Sequence, residues 1–247
     1  MATILRILIL CITVSFNSIS QSKEVTEESQ IWTQYFVAAK ITNHWGVQAD
    51  IGHRRKQNFV SVPFQNLFRL GGIYYFNDNA FLTCGYAYFE NYNDKGTLPV
   101  PEHRGWQRFT TSHYSGRFQF MHRYRFEQRF RQNFKDEELL PSYRFNYRAG
   151  YQLNIQHPLK GNKILPKTPF LILFDEVFIN FGDQIVTNMF DQNRIYGGFG
   201  YQINKALSVN AGYMYTFTQR SKAGNFNEAH VLRFTLIHNL DFRKTED

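Results

Sequence analysis

Between Phe118 and Arg131 apolar and polar residues alternate strictly. The even positions are Phe118, Phe120, His122, Tyr124, Phe126, Gln128 and Phe130; the odd ones are Gln119, Met121, Arg123, Arg125, Glu127, Arg129 and Arg131. Five of seven are aromatic on one side, and five of seven are charged on the other. A period of two means a β-strand with one apolar and one ionic face. At about 3.3 Å per residue the strand is roughly 40 Å long or more, well beyond the usual strand of a globular sheet. The next segment repeats the pattern: Tyr143, Phe145, Tyr147, Tyr151, Leu153 and Ile155 oppose Arg144, Asn146, Arg148, Gln152 and Asn154. Trp45, Val47, Ala49 and Ile51 oppose Gln48, Asp50 and Arg54, and the stretches 207–220 and 227–242 alternate likewise. Eleven strand segments result, near 29–40, 43–55, 62–76, 79–92, 101–114, 117–131, 141–156, 168–182, 192–204, 207–220 and 227–242. No segment has the 3.6-residue period of a helix.

Alternation is shared by soluble sandwiches, whose apolar face points inward, and outer-membrane barrels, whose apolar face meets lipid. Strand length favours the second, because about 9–11 tilted residues cross a bilayer. So do aromatic residues near strand ends, namely Trp32, Tyr35, Trp45, Tyr74, Tyr75, Tyr92 and Trp106, as in an interfacial girdle. The fold class expected is an all-β, antiparallel up-and-down transmembrane β-barrel. Turn-forming links occur at Thr42-Asn43, Asn77-Asp78-Asn79, Ser115-Gly116 and Asn204-Lys205-Ala206; longer polar links lie near 56–61, 93–100, 132–140, 183–191 and 221–226. Bacterial barrels of this type have even strand numbers. That argues for twelve strands, the extra one inside 157–191, with ten as the alternative.

Composition changes this picture in two places. The 247 residues carry 28 Lys and Arg against 20 Asp and Glu, with 17% aromatics and a mean hydropathy of −0.43. The aromatics exclude a disordered chain, and no stretch after the N-terminus approaches the roughly 18 apolar residues of a spanning helix. Arg6, the apolar run Ile7–Phe16 and Ser18-Ile19-Ser20 read as a secretory signal peptide over residues 1–20. Export would leave Cys84 as the one cysteine. Residues 21–29 read as a polar N-terminal segment, 30–242 as the barrel and 243–247 as a polar tail. The alternating apolar residues ending at Phe242 resemble the C-terminal signal read by barrel assembly machinery.

Several stretches resemble the DUF2490 family of Bacteroidota proteins: Gln30-x-Trp32, Glu102-His103-Arg104-x-Trp106-Gln107, Arg123-x-Arg125-x-Glu127-x-Arg129, Asp175-Glu176-x-Phe178 and Asp191-Gln192-Asn193-Arg194-x-Tyr196-x-Gly198. The resemblance implies an outer-membrane β-barrel with no established activity and no catalytic residues to carry over.

Function then rests on the ionic face. Facing a lumen, Arg104, Arg108, Arg123, Arg125, Arg129, Arg144, Arg148 and Arg194 would meet Glu90, Glu102, Glu127, Asp175 and Glu176, with Asp50, Arg54 and Arg69 as further candidates. A ladder of ion pairs would fill and rigidify a narrow barrel, since guanidinium and carboxylate pair bidentately across strands. The other reading is an Arg-lined path for an anionic solute. Adjacent Asp175 and Glu176 point to opposite faces of a regular strand, so a β-bulge is expected to turn both inward.

No catalytic constellation, cofactor motif or metal-ligand spacing is present, and Ser112-His113 diverge as neighbours on a strand. A barrel-borne lipid hydrolase is the least favoured alternative. Nucleic acid is not an expected partner of an exported chain whose basic residues are spread across strands. The expected surroundings are outer-membrane lipid and, during biogenesis, the barrel assembly machinery. A soluble periplasmic barrel binding a small acidic or lipidic ligand is the alternative from another class.

Overall fold

The structure is a computed structural model that describes residues 24–183, 185, 189–220 and 224–243. The expected signal peptide lies outside the described residues, as does the tail beyond Arg243. Alternation produces eleven strands: β1 (Glu24–Lys40), β2 (Trp45–Lys56), β3 (Val62–Asn77), β4 (Ala80–Tyr92), β5 (Pro99–Ser115), β6 (Phe118–Lys135), β7 (Glu138–Pro158), β8 (Thr168–Phe181), β9 (Phe190–Gln202), β10 (Leu207–Gln219) and β11 (Asn225–Asp241). Each strand pairs antiparallel with the next, and β1 pairs with β11 to close a barrel.

Eleven replaces the expected twelve. An odd ring cannot alternate direction all the way round, so one pair is parallel, and here it is β1 with β11. That seam runs in register from Glu24↔Asn225 to Lys40↔Asp241. The 157–191 region holds β8 and a connection at 159–167, with no twelfth strand among the described residues. The polar segment expected at 21–29 is strand from Glu24 onward. Its first described residues stand at the opposite rim from Asp241, since β1 runs beside β11 in the same direction.

Local chemistry sets the turns. Thr42 Oγ1 accepts from the backbone N–H groups of His44 and Trp45, and Asn204 Oδ1 from those of Ala206 and Leu207. At the other rim Asp136 and Glu137 both take positive φ, 51° and 65°, which suits a two-residue hairpin turn matched to strand twist. A long loop expected near 132–140 is therefore absent, and β6 and β7 run on as an extended hairpin.

The outer wall is apolar: Ile51, Leu70, Leu173, Phe199 and Phe234 are among its exposed side chains. The interior is mixed. Trp32, Phe170, Ile172, Phe174, Tyr196, Met214, Ala229 and Val231 form one buried apolar cluster, and Leu67, Ala87, Phe89 and Trp106 a second. Trp32 and Trp106 thus lie inside, whereas the strand-end pattern placed them in an outer girdle. Trp32 Nε1 donates to Gln30 Oε1 at 2.7 Å, which meets its one polar requirement within the wall. Trp106 lies over Gly71, where a side chain would press on its ring; Gly85 beside it leaves the β3–β4 backbones close.

Candidate functional site

The interior faces of all eleven strands converge on a cavity of about 1270 Å³. Alternation aims the odd residues of β6 inward: Arg123, Arg125, Glu127, Arg129 and Arg131 all line it. The same parity delivers Arg104 and Arg108 from β5, Arg148 from β7 and Glu176 and Arg194 from β8 and β9.

Two buried carboxylates organise the middle of this face. Glu102 receives Arg104 Nε and Arg129 Nε, each at 2.7 Å, and Asn91 Nδ2 at 3.0 Å. Glu127 accepts Arg148 Nη2 at 2.6 Å and Nε at 2.8 Å, and Arg104 Nη1 at 3.2 Å. Arg104 therefore bridges the two carboxylates. Arg148 continues to Asp191 at 3.1 Å, and Asn180 donates to the other oxygen of Asp191. The charged chain ties β4, β5, β6, β7, β8 and β9 together across register positions that hairpin pairing alone would not connect. Rings complete it: Arg104 stacks 3.8 Å from the centre of Phe89, and Arg148 4.3 Å from that of Phe178.

Outside this cluster the pairing thins. Arg194 holds Glu176 at 3.1 Å, while Arg125 reaches Glu176 at 3.4 Å and Glu127 at 3.8 Å. Arg69 holds Asp50 through Nε and Nη2 at 3.0 and 2.9 Å. Arg108, Arg123 and Arg233 have amide partners, Gln48, Gln152 and Gln34. Arg54 lies flat on Trp32, 3.6 Å from the ring centre. Among the described residues, twelve arginines (54, 69, 104, 108, 123, 125, 129, 131, 148, 194, 220 and 233) and Lys40, Lys56 and Lys205 face eight carboxylates (28, 50, 94, 102, 127, 176, 191 and 241). The lumen is therefore strongly positive.

Of the residues singled out from sequence, Glu102, Arg104, Arg108, Arg123, Arg125, Glu127, Arg129, Arg148, Glu176 and Arg194 meet inside. Three do not. Glu90 follows the inward Phe89 and stands on the outer wall, where Asn66 Nδ2 donates to it at 3.0 Å. Asp175 also faces outward, bonded by Asn193 Nδ2 at 2.6 Å, because β8 keeps regular register through 175–176. Arg144 is exposed near the rim, opposite Arg131. The bulge expected near 175–176 is absent; a different one lies on β9, where pairing shifts between Phe178↔Gln192 and Ile179↔Phe190 and the skipped residue is Asp191. The bulge turns Asp191 inward, which simple parity hides. Arg131 and Arg233 share the inward parity of their strands and could have been added by counting alone.

Among the described residues no group of three or more His, Cys, Asp and Glu is placed to hold a metal ion. The outer-wall histidines pair with tyrosines across strands, as in Tyr86–His103, Tyr213–His230 and His122–Tyr151. Ser112 pairs across to Met121, and His113 stacks on Phe120, so the two share no site.

The family described as "Protein of unknown function (DUF2490)" matches residues 29–227, from β1 into β11. The chain belongs to the DUF2490 family. No curated protein and no solved structure matches it. The part of this DUF2490 chain that matches contains every member of the Glu102–Glu127 cluster, with Asp191 and its bulge; of the interior arginines only Arg233 lies beyond it.

Proposed function

We propose that the protein is an outer-membrane β-barrel of the bacterial envelope, held rigid from within by its arginine–carboxylate cluster. One observation carries this reading: the wall is apolar outside and charged inside. Ile51, Leu70, Leu173 and Phe199 are more than half exposed, while Asp50, Glu102, Arg104, Glu127 and Glu176 are buried. A soluble protein seldom shows water an apolar surface of that extent, whereas a bilayer requires it. No helix among the described residues is long and apolar enough to cross a membrane, which says nothing of strands. Residues 1–20 would direct export, and the barrel assembly machinery would insert the folded sheet.

Side chains that bridge the lumen leave a restricted interior, so the role is that of a structural or narrow-pore protein and no reaction is assigned. Membrane fractionation tests the location. Recovery with the outer membrane, and a folded form that migrates faster on gels until heated, are the expected results. Release into the soluble periplasm without detergent would favour the ligand-binding alternative, which the interior cavity of about 1270 Å³ could serve. In planar bilayers a braced lumen gives small conductance steps or none; large unselective steps would overturn the bracing.

A further inference from the structure

The positive charge of the lumen is not evenly matched: among the described residues Arg54, Arg131 and Arg233 form no ion pair, and a denser unmatched patch lies on β5 and β6. On β5 and β6, Arg108 stands directly opposite Arg125, and Thr110 opposite Arg123. Arg108 is nine-tenths buried, yet among the described residues its only hydrogen-bond partner is the side-chain carbonyl of Gln48 from β2. Its Nε has no acceptor. Arg123 has one bond, to Gln152 Oε1 at 3.0 Å, and Arg125 reaches carboxylates only at 3.4 and 3.8 Å. Each guanidinium carries five N–H donors in a fixed fork. Behind them, Trp106 Nε1 and the Thr83 and Thr110 hydroxyls are likewise buried without a partner. Thr83 is the cross-strand neighbour of Arg108, so these unmet groups occupy one continuous patch.

Buried donors are ordinarily paired, and buried cations are ordinarily matched by an anion. Here the donors and the charge are unmet at the same place, and Arg108, Arg123 and Arg125 border the open cavity. Three forks at adjacent register positions of β5 and β6, all lining the same cavity, offer more donors than a two-oxygen carboxylate can accept and suit a tetrahedral oxyanion.

We propose that the Arg108–Arg123–Arg125 step of the lumen binds a phosphate group, either as free phosphate or as the phosphate of a small solute. Gln48 and Gln152, each already bonded to one of the arginines, hold the forks in place. The proposal does not depend on where the barrel resides, so it can fail while the membrane reading stands, and the reverse.

The test is calorimetric titration of the full-length protein, refolded in detergent, with inorganic phosphate and separately with glycerol 3-phosphate, chloride being the background anion. Saturable phosphate binding is expected, weakened about tenfold in Arg108→Gln and in Arg123→Gln, the scale of one lost charge-assisted hydrogen bond. Arg144→Gln removes the same charge at the rim and leaves affinity unchanged. Equal affinity for both probes assigns the site to the phosphate group alone; tighter glycerol 3-phosphate assigns it to a phosphorylated solute. Absence of saturable binding by the wild-type protein overturns the proposal. So does an equal loss in Arg144→Gln, which would make attraction a property of net charge. Heat-modifiable migration reports whether each variant folds, and Arg108→Lys, which keeps the charge but loses the fork, gives an intermediate affinity if the site is as described.

Discussion

On the paired strands β5 and β6, two neighbouring levels of the lumen treat charge in opposite ways. At one, Glu102 and Glu127 are surrounded by Arg104, Arg129 and Arg148 at 2.6 to 3.2 Å. At the next, Arg108 faces Arg125 and is bonded by Gln48, and carboxylates reach this level only through Arg125, at 3.4 and 3.8 Å. Trp106 lies on β5 between Arg104 and Arg108 and separates the levels with an apolar ring. Both levels come from the same alternating repeat and differ only in where a carboxylate falls in it. The contrast teaches that an arginine-rich face is not one thing: where acids intervene it is a brace, and where they do not it is a receptor for charge from elsewhere.

The sharpest way to break the contrast is to make the first level resemble the second. Glu127→Gln leaves Arg104 and Arg148 buried without their shared carboxylate. Breaking a buried ion pair from one side costs about 3–5 kcal/mol, and a large drop in the urea midpoint of the refolded protein is the expected result. A change near zero would mean that the cluster braces nothing.

Gly85→Val attacks the divider instead. A Cβ at Gly85 would run into the Leu70 carbonyl oxygen and the Gly71 Cα, both backbone atoms that cannot step aside. Overpacking of this kind costs about 1–3 kcal/mol. Trp fluorescence should shift as well if the neighbouring Trp106 moves; an unchanged spectrum and midpoint would show that the divider tolerates a wider wall.

Arg108→Gln should have a smaller effect on the midpoint than either. It removes a buried cation that has no carboxylate, and replacing such a charge is often neutral or stabilising. A loss as great as that of Glu127→Gln would erase the distinction between the two levels.

The smallest effect belongs to the rim. Lys95 and Glu137 pair at 2.6 Å but stand exposed in the loop connections. Their hydrogen bond, then their mutual charge, holds the Glu137 carboxyl below its ordinary pKa and raises that of Lys95. The Glu137 contribution is thus present above the unfolded carboxylate pKa and fades as pH falls through the lowered one. That of Lys95 is complete below the unfolded lysine pKa and fades as pH rises through the raised one. Water and salt screen such pairs heavily, so Lys95→Gln should leave the midpoint unchanged within error at neutral pH. A measurable fall would show that the extended β6–β7 hairpin relies on this contact.

How far the sequence discloses this arrangement differs from residue to residue. The strands were legible because alternation is a local property, and segments such as 62–76 and 168–182 coincide with β3 and β8 to within a residue. Most of the ionic cluster followed from the same count. Trp32 and Trp106 obey that count as well, although their aromatic character alone suggests the outer wall. The same alternation places Trp106 inside, between the inward Arg104 and Arg108, and Gly71 on β3 leaves room for its ring. Asp191 was hidden by a bulge that alters parity on β9 alone. The strand number failed for a reason of closure: a count of eleven was at hand, but the rule of even numbers assumes that every neighbour is antiparallel.

The seam between β1 and β11 also sets an order of events. Ten of the eleven pairings join consecutive strands and can grow as successive hairpins. The eleventh must bring together residues such as Glu24 and Asn225, 201 positions apart, and loop closure on that scale is entropically the steepest step. The ring should therefore zip from hairpin to hairpin and latch last at β1–β11. Backbone amides of β1 that bond to β11 would then gain protection from hydrogen exchange after those of β5 and β6, and simultaneous protection would refute a final latch. The one pair without a turn thus separates an open, growing sheet from a barrel with an inside.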